Sequence, residues 1–117
     1  MFFVFFFFLR MSQEIVLPKV STYEQARNKA FELLGSFGCS IPYVCTLGAS
    51  KACGKIVGRQ SPDKKKSWRL DYDPKKGVHI NVADYSQGKR GSGGKNYAIP
   101  FNGNEKTFLT LIEHLNR

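Results

Sequence analysis

Between residues 67 and 82 the chain reads as two strands joined by a tight turn, and this hairpin limits what the sequence can fold into. Apolar side chains occupy alternate positions on both sides of the turn: Trp68, Leu70, Tyr72, Val78, Ile80 and Val82. The turn, Asp73-Pro-Lys-Lys-Gly77, contains a proline that fixes φ and a glycine that can take a positive φ. Because residues two apart share one face of a strand, the pattern predicts a hairpin with one buried face.

The polar residues of the hairpin fall on its other face. Arg69 and Asp71 alternate with the apolar residues of the first strand, and His79 and Asn81 do so in the second. Residues on one face of adjacent strands become cross-strand neighbours, so we expect Arg69 or Asp71 to lie beside His79 or Asn81. The sequence therefore predicts a polar surface that contains an imidazole, a carboxylate and a guanidinium group.

The net charge of the chain is concentrated around this hairpin. The segment 51–95 contains twelve basic and four acidic residues, which gives it +8 of the formal net charge of +9. A local positive field favours a phosphate-rich partner, most simply nucleic acid, over an acidic membrane surface or an acidic protein. Basic residues that are only solvated are the alternative. The predicted nucleic-acid contacts are Lys76, Lys89, Arg90 and Lys95.

The order of predicted elements indicates an α+β fold. A capping-box pattern over residues 21–24 begins a helix that ends at Gly35, and residues 37–54 read as a connecting loop. Strand patterns follow at 55–59, 68–72, 78–82 and 97–101, with Lys64, Lys65 and Lys66 in a solvated turn. Asn102 or Asn104 then caps a C-terminal helix. We expect an antiparallel sheet of about four strands with both helices on one face.

The first ten residues differ from the rest in composition. Residues 2–9 are all apolar, which is too short a run for a membrane-spanning helix of about twenty residues. The segment also lacks the basic start and cleavage pattern of a secretory signal. We predict that residues 1–10 are a hydrophobic extension outside the fold, with Met11 the true start. Residues 11–117 then form a single domain without stable membrane insertion, and a degenerate membrane or export tag is the alternative.

No motif for a metal or a cofactor is evident. Cys39, Cys45 and Cys53 lack zinc-binding spacing, and their odd number fits a disulfide framework poorly. We expect free thiols in a reducing compartment, or one disulfide and a free thiol if the protein is exported. The sequence has neither a Walker loop nor a nucleophile elbow. We therefore predict no cofactor.

Metal-independent cleavage of RNA is the chemistry that the polar face suits. The reaction needs a base for the 2′-hydroxyl, an acid for the leaving oxygen and cations for the phosphorane. Histidine is the side chain that most readily exchanges a proton under physiological conditions, which makes His79 the candidate acid or base, and Asp71 either orients it or acts as the base. Asn81 would hydrogen-bond a base edge or the phosphate. The predicted catalytic residues are His79, Arg69, Asp71 and Asn81.

Several motifs in residues 54–117 support a toxin-like function. They are Gly54-Lys-Ile-Val-Gly-Arg59, Trp68-Arg-Leu-Asp-Tyr-Asp-Pro74, Gly77-Val-His-Ile-Asn-Val82, Ile99-Pro-Phe101 and Gly103-Asn-Glu-Lys-Thr107. These motifs resemble the small C-terminal toxin modules of bacterial polymorphic toxin systems. The resemblance implies a nuclease, secreted or delivered into a target cell and acting in its cytoplasm. It also implies a barnase-like ribonuclease architecture, from which the C-terminal helix departs.

Two functions from different classes therefore fit the sequence. The first is a ribonuclease toxin that cuts RNA at the His79 face. The second is a non-catalytic basic nucleic-acid-binding module that uses the same face. An acidic immunity protein is a further expected partner, since such a protein would dock on the basic surface of a toxin.

Overall fold

The computed structural model describes residues 14–35, 38–89 and 93–117. The predicted hydrophobic extension, residues 1–10, and the predicted contact residue Arg90 lie outside the described residues. The elements in chain order are β1 (Ile15–Val16), α1 (Tyr23–Leu34), β2 (Ile41–Val44), β3 (Ile56–Gln60), β4 (Lys66–Asp73), β5 (Gly77–Asp84), β6 (Lys95–Pro100) and α2 (Glu105–Leu115).

The strands form one six-stranded sheet in the order β1-β6-β5-β4-β3-β2. Strands β2 to β6 are an antiparallel meander, and β1 pairs parallel to β6 at one edge. The prediction of an α+β fold is confirmed, whereas the expectation of an antiparallel sheet of about four strands is only roughly matched, because the sheet has six strands and one of them is parallel. The two missed strands are both edge strands, and β2 lies inside residues 37–54, where the sequence reads as a loop.

Each helix begins at a capping box. Thr22 accepts a hydrogen bond from the backbone of Gln25, and the Gln25 side chain accepts one in return from the backbone of Thr22. The box therefore lies one residue later than the predicted 21–24. Gly35 ends α1 with φ of 69°, as expected, and of the two predicted caps for α2 the structure has Asn104.

Both helices pack on the same face of the sheet, and the apolar residues of the hairpin form the centre of this core. Trp68, Leu70, Val78, Ile80 and Val82 are all buried against the helices. Tyr72 is half-buried, and its ring stacks on Phe108 of α2 with centroids 6.2 Å apart. The predicted burial pattern is confirmed, so the polar residues of the hairpin lie on the face without helices.

Lys66 is not in a solvated turn, as the sequence suggested. It is the first residue of β4, and its Nζ donates to the Leu34 carbonyl at 2.8 Å. That carbonyl is in the last turn of α1, where unpaired carbonyl groups favour a cation. Lys66 therefore ties α1 to the helix-covered face of the sheet.

Candidate functional site

The register of β4 and β5 brings the four predicted catalytic residues together. Asp71 pairs with His79, and Arg69 pairs with Asn81. All four side chains lie on the face without helices, where they border a cleft of about 430 Å³. We refer to this cleft as the central cleft, and to these four residues as its floor.

The Asp71 carboxylate is held at both oxygens. Its Oδ2 accepts the Asn81 side-chain amide at 3.1 Å, and its Oδ1 accepts the backbone N–H of Tyr72 at 2.8 Å. A guanidinium nitrogen of Arg69 lies 3.9 Å from Oδ2. The Asp71 side chain keeps 27% of its surface exposed, so the carboxylate is fixed in position but still open to the cleft.

The hydrogen bond to Asp71 fixes the orientation of the Asn81 amide. A carboxylate only accepts hydrogen bonds, so the amide nitrogen of Asn81 must face Asp71. The amide oxygen is then buried, and it has no hydrogen-bond partner among residues 14–35, 38–89 and 93–117. A buried acceptor without a donor is unfavourable, so this oxygen would gain from a donor supplied by water or by a ligand.

His79 is buried at the base of the cleft, with only 1% of its surface exposed. Its Nδ1 lies 2.9 Å from the Gly77 carbonyl oxygen. Because a carbonyl only accepts, Nδ1 carries a proton and the lone pair of the neutral ring is on Nε2. The Gly77 carbonyl therefore orients the ring through Nδ1, and this contact does not involve Asp71.

Arg69 is oriented by an aromatic ring. The centre of its guanidinium group is 5.9 Å from the ring centroid of Tyr43 on β2. The side chain of Arg69 remains 32% exposed. A cation over an aromatic face is stabilised by the negative ring surface. Arg69 is thus presented to the cleft between Tyr43 and Asp71.

Lys76 lies at the rim of the cleft in an ion pair. Its Nζ is 2.6 Å from Oε1 of Glu14, just before β1. The hydrogen bond that Lys76 donates to Glu14 raises the pKa of Lys76 above its ordinary value, against a smaller opposing effect of burial. A phosphate that binds Lys76 must therefore compete with Glu14.

Asp73 is the last residue of β4, just before the turn that contains Lys76, and is another negative charge at the cleft. Its carboxylate accepts the backbone N–H groups of Lys75 and Lys76 at 2.9 and 2.7 Å. The N–H of Lys76 is the main cause of the lowered pKa of Asp73, which burial partly opposes. Asp73 also lines the central cleft, so the positive charge of this region is not uniform.

Two of the predicted nucleic-acid contacts, Lys89 and Lys95, do not line the central cleft. Lys89 is exposed and lines a neighbouring depression. Lys95 on β6 lies opposite Asp84 on β5, and Asp84 lies opposite Lys66 on β4, so the three side chains share one face of the sheet. The Lys66 side chain contacts α1, so this is the helix-covered face. Lys95 therefore lies on the sheet face opposite His79, and its predicted contact with the same ligand is not supported by this placement.

Several residues that line the cleft were not predicted to belong to the site. They include Glu14, Tyr43, Tyr85 and Asn96, whereas Lys64 was predicted to lie in a solvated turn. Tyr85 and Asn96 are joined by a hydrogen bond of 2.9 Å from the Tyr85 hydroxyl. Glu14, Tyr43 and Tyr85 come from an edge strand or from a segment next to a strand, and Asn96 is on β6, so their positions depend on how distant parts of the chain pair in the sheet.

Asp71 is also accessible from a second cavity. This cavity has a volume of about 590 Å³ and lies between the loop after β2 and the start of α2. Tyr72 and Phe108 form part of its wall, and an ion pair of 3.2 Å between Lys51 and Glu105 lies beside it. Asp71 thus stands between a polar cleft and a more apolar one.

The described residues contain no evident metal-binding group of side chains. In the described ranges, no three side chains of histidine, cysteine, aspartate or glutamate are grouped closely enough to hold an ion. Cys39, Cys45 and Cys53 are free thiols, and of the three only Cys45 is buried.

Within the described ranges, neither helix has the length and apolar character required to cross a membrane.

No protein-family model matches this chain, and no curated protein sequence matches it either. The function must therefore be argued from the geometry of the cleft.

Proposed function

We propose that this chain is a small toxin-like ribonuclease that cleaves single-stranded RNA in the central cleft. The observation that carries the proposal is the floor of the cleft, where a fixed carboxylate, a guanidinium group and an imidazole lie on two paired strands. A helix followed by an antiparallel sheet with an open polar face is also compatible with a barnase-like ribonuclease. The formal net charge of +9 supports a polyanionic substrate.

The proposed reaction is an internal transesterification. A base removes the proton of a ribose 2′-hydroxyl, and the 2′-oxygen attacks the adjacent phosphorus. The bond from phosphorus to the 5′-oxygen of the next nucleotide then breaks, and that oxygen takes a proton from an acid. The products are a 2′,3′-cyclic phosphate and a free 5′-hydroxyl. Every part of this reaction can be supplied by side chains.

Asp71 is the base in this proposal. Its carboxylate is exposed to the cleft, whereas the ring nitrogen of His79 that could accept a proton is deeply buried. Arg69 lies within 4 Å of the same carboxylate and is suited to stabilise charge on the phosphorane. Lys76 supplies a second cation at the rim once phosphate displaces Glu14.

His79 is the acid in this proposal. As the imidazolium it would give the proton on Nε2 to the leaving 5′-oxygen, while Nδ1–H stays bonded to the Gly77 carbonyl. At 1% exposure, the ring meets a substrate only if binding displaces the side chains that cover it. The catalytic role of His79 thus depends on a local rearrangement of the floor.

The burial of His79 also favours a second candidate function. If the ring stays covered, the cleft retains Arg69 and Lys76 as phosphate ligands but lacks an accessible acid. The chain would then be a non-catalytic module that binds single-stranded nucleic acid. For either function, an acidic immunity-type protein would compete with the nucleic acid for the same cations. The target would be RNA in the cytoplasm of a recipient cell.

Incubation of the full chain with total cellular RNA in excess chelator distinguishes the two functions. The variants are Asp71→Asn, His79→Ala and the control His114→Ala, since His114 is exposed on α2 on the other side of the sheet. We expect wild type and His114→Ala to cleave RNA, and losses of about 10²–10⁴-fold for the two cleft variants. Retarded but intact RNA with wild-type protein would instead support the binding module. Intact, unshifted RNA would reject both functions.

A further inference from the structure

A second depression adjoins the central cleft at the end where β4 begins. It has a volume of about 530 Å³. Its lining consists of one aromatic residue, three lysines and two small residues: Tyr85, Lys64, Lys65, Lys89, Ser86 and Gly88. An aromatic ring among several cations is the composition of sites that bind single-stranded nucleic acid, since bases stack on the ring and phosphates meet the cations.

The three lysines of this depression are available to a ligand. Neither Lys64, Lys65 nor Lys89 forms an ion pair with any residue in the described part of the chain. All three are exposed. The depression therefore carries three lysine charges without an ion-pair contact, although Asp63 is close enough to attract Lys65. In the central cleft, by contrast, Lys76 is paired with Glu14.

Two carboxylates that are adjacent in sequence to lining residues, Asp63 and Asp84, accept local hydrogen bonds. Asp63 accepts from the Ser61 hydroxyl at 2.7 Å and from the backbone of Lys65 at 3.0 Å. Asp84 accepts from the hydroxyl and the backbone N–H of Ser86 at 2.6 and 3.0 Å. Neither carboxylate lines the depression, so neither blocks an anion from reaching the lysines.

The Tyr85 ring is fixed in place before any ligand binds. Its hydroxyl donates to Asn96 at 2.9 Å, and its backbone N–H donates to the Lys65 carbonyl at 2.7 Å. Gly94 packs so closely that an added Cβ would lie 2.6 Å from Cδ1 of the ring. A ring that is already held loses little conformational freedom on binding, which favours its use as a stacking platform.

The depression is continuous with the central cleft. Lys64 and Tyr85 line both of them, so an RNA strand that leaves the cleft on this side must pass the ring. We infer that the depression binds a nucleotide of single-stranded RNA flanking the one in the central cleft, with its base stacked on Tyr85 and its phosphates beside Lys64, Lys65 and Lys89. The inference rests on the proposed function and adds a second nucleotide subsite to it.

The test is the affinity of the full chain for a fluorescent 2′-O-methyl RNA ten nucleotides long, measured by anisotropy at several salt concentrations. This probe lacks the free 2′-hydroxyl and cannot be cleaved by the proposed reaction. We expect Tyr85→Leu to bind about 5- to 100-fold more weakly, the range for loss of one stacked base. Tyr85→Phe keeps the ring and is expected to bind close to wild type.

Lysine variants test the same subsite without altering packing. Lys64→Gln and Lys89→Gln are exposed changes, and each is expected to reduce the salt slope by about 0.7, the value for one phosphate contact on a single strand. The control is Lys106→Gln on α2, an exposed lysine on the helix-covered side. It is expected to leave both the affinity and the slope unchanged.

Three results would overturn the inference. If the wild-type chain binds but Tyr85→Leu and the two lysine variants bind equally well, the subsite is wrong and the proposed function stands. If Tyr85→Phe loses as much affinity as Tyr85→Leu, the hydroxyl rather than stacking is responsible. If the wild-type chain binds no single-stranded RNA, the subsite and the proposed function both fail. Thermal melting of each variant shows whether a lost affinity reflects lost folding.

Discussion

Asn81 on β5 donates its side-chain amide to the carboxylate of Asp71 on β4, with 3.1 Å between the two atoms. Both residues face the central cleft, and Asn81 keeps only 9% of its surface exposed. The bond leaves the amide oxygen of Asn81 buried and without a partner among the described residues. Asn81 thus holds the carboxylate of Asp71, the proposed base, in position, while its own amide oxygen is left without a hydrogen-bond donor.

Asn81→Asp should replace this bond with a repulsion between two carboxylates. We expect it to lower the free energy of unfolding at pH 7 by about 1–3 kcal/mol, because a buried charge loses water and gains no donor. The loss should shrink at pH 4, where one carboxyl of the pair can be protonated. Urea denaturation at both pH values measures the effect. A loss independent of pH would contradict this account, and exposed Asn102→Asp is the control.

Glu14→Gln should strengthen the binding of RNA. The change removes a negative charge 2.6 Å from Lys76 but keeps an oxygen that can accept its hydrogen bond. We expect a two- to fivefold higher affinity for the 2′-O-methyl RNA at low salt, roughly the size of one partly exposed ion pair, and no gain at high salt. Fluorescence anisotropy measures it. Glu24→Gln, on the exposed surface of α1, should have no effect. Equal gains in both variants would indicate a general charge effect.

Gly58→Ala should severely destabilise the sheet. Gly58 lies in β3 between Tyr43 of β2 and Arg69 of β4. An added Cβ would collide with the Trp68 carbonyl oxygen and approach the Cα of Arg69 to 2.8 Å, both of them backbone atoms. We expect a loss of about 3 kcal/mol or more in the free energy of unfolding, at the upper end for overpacking. Thermal or urea denaturation tests it.

Gly48→Ala is the matched control for Gly58→Ala. Gly48 lies in the loop after β2, and an added Cβ there would meet nothing within 4 Å. Its φ is also outside the left-handed region. The stability of this variant should stay close to that of wild type, and a comparable loss in both variants would show that close approach is not the cause.

Asp73→Asn should reduce stability at neutral pH but not in acid. The backbone N–H groups of Lys76 and Lys75 lower the pKa of Asp73 in the native state. A group with a lowered native pKa stabilises the fold above its unfolded value of about 3.9 and loses that effect as the pH falls through the native value. Wild type should therefore unfold at a higher temperature than Asp73→Asn at pH 7, and the difference should begin to shrink near pH 4 and vanish as the pH falls through the lowered native pKa. An undiminished difference in acid would contradict the assignment.

The hairpin and its polar face were predictable because both depend on local pattern. Alternation over residues 67–82 correctly assigns Trp68 and Ile80 to the core and sets Asp71 beside His79. The same alternation also explains Lys95, which is two residues before Tyr97 and four before Ile99. Both of those contact the helix-side core, so Lys95 had to share their face.

The rest of the cleft depends on contacts between distant parts of the chain. β1 has two residues and β2 has four, including Pro42, so neither carries a recognisable alternation. Each exists because a neighbouring strand supplies hydrogen bonds. Glu14 and Tyr43 come to the cleft with these strands. The burial of His79 was also not predictable from the sequence, because alternation predicts which face of the sheet a side chain occupies but not how far other residues cover it.

The parallel pairing of β1 with β6 determines which part of the sheet separates first from the rest. The strand consists of Ile15 and Val16, both about half exposed, and it pairs with residues near the other end of the chain. Such an edge, with long loop closure and little buried area, separates at a lower free energy than the central strands. Detachment of β1 would withdraw Glu14 from Lys76 while the floor of the cleft stays folded. The charge presented by the cleft would then follow a local fraying equilibrium, measurable as faster amide hydrogen exchange at Leu17 than at Ile80.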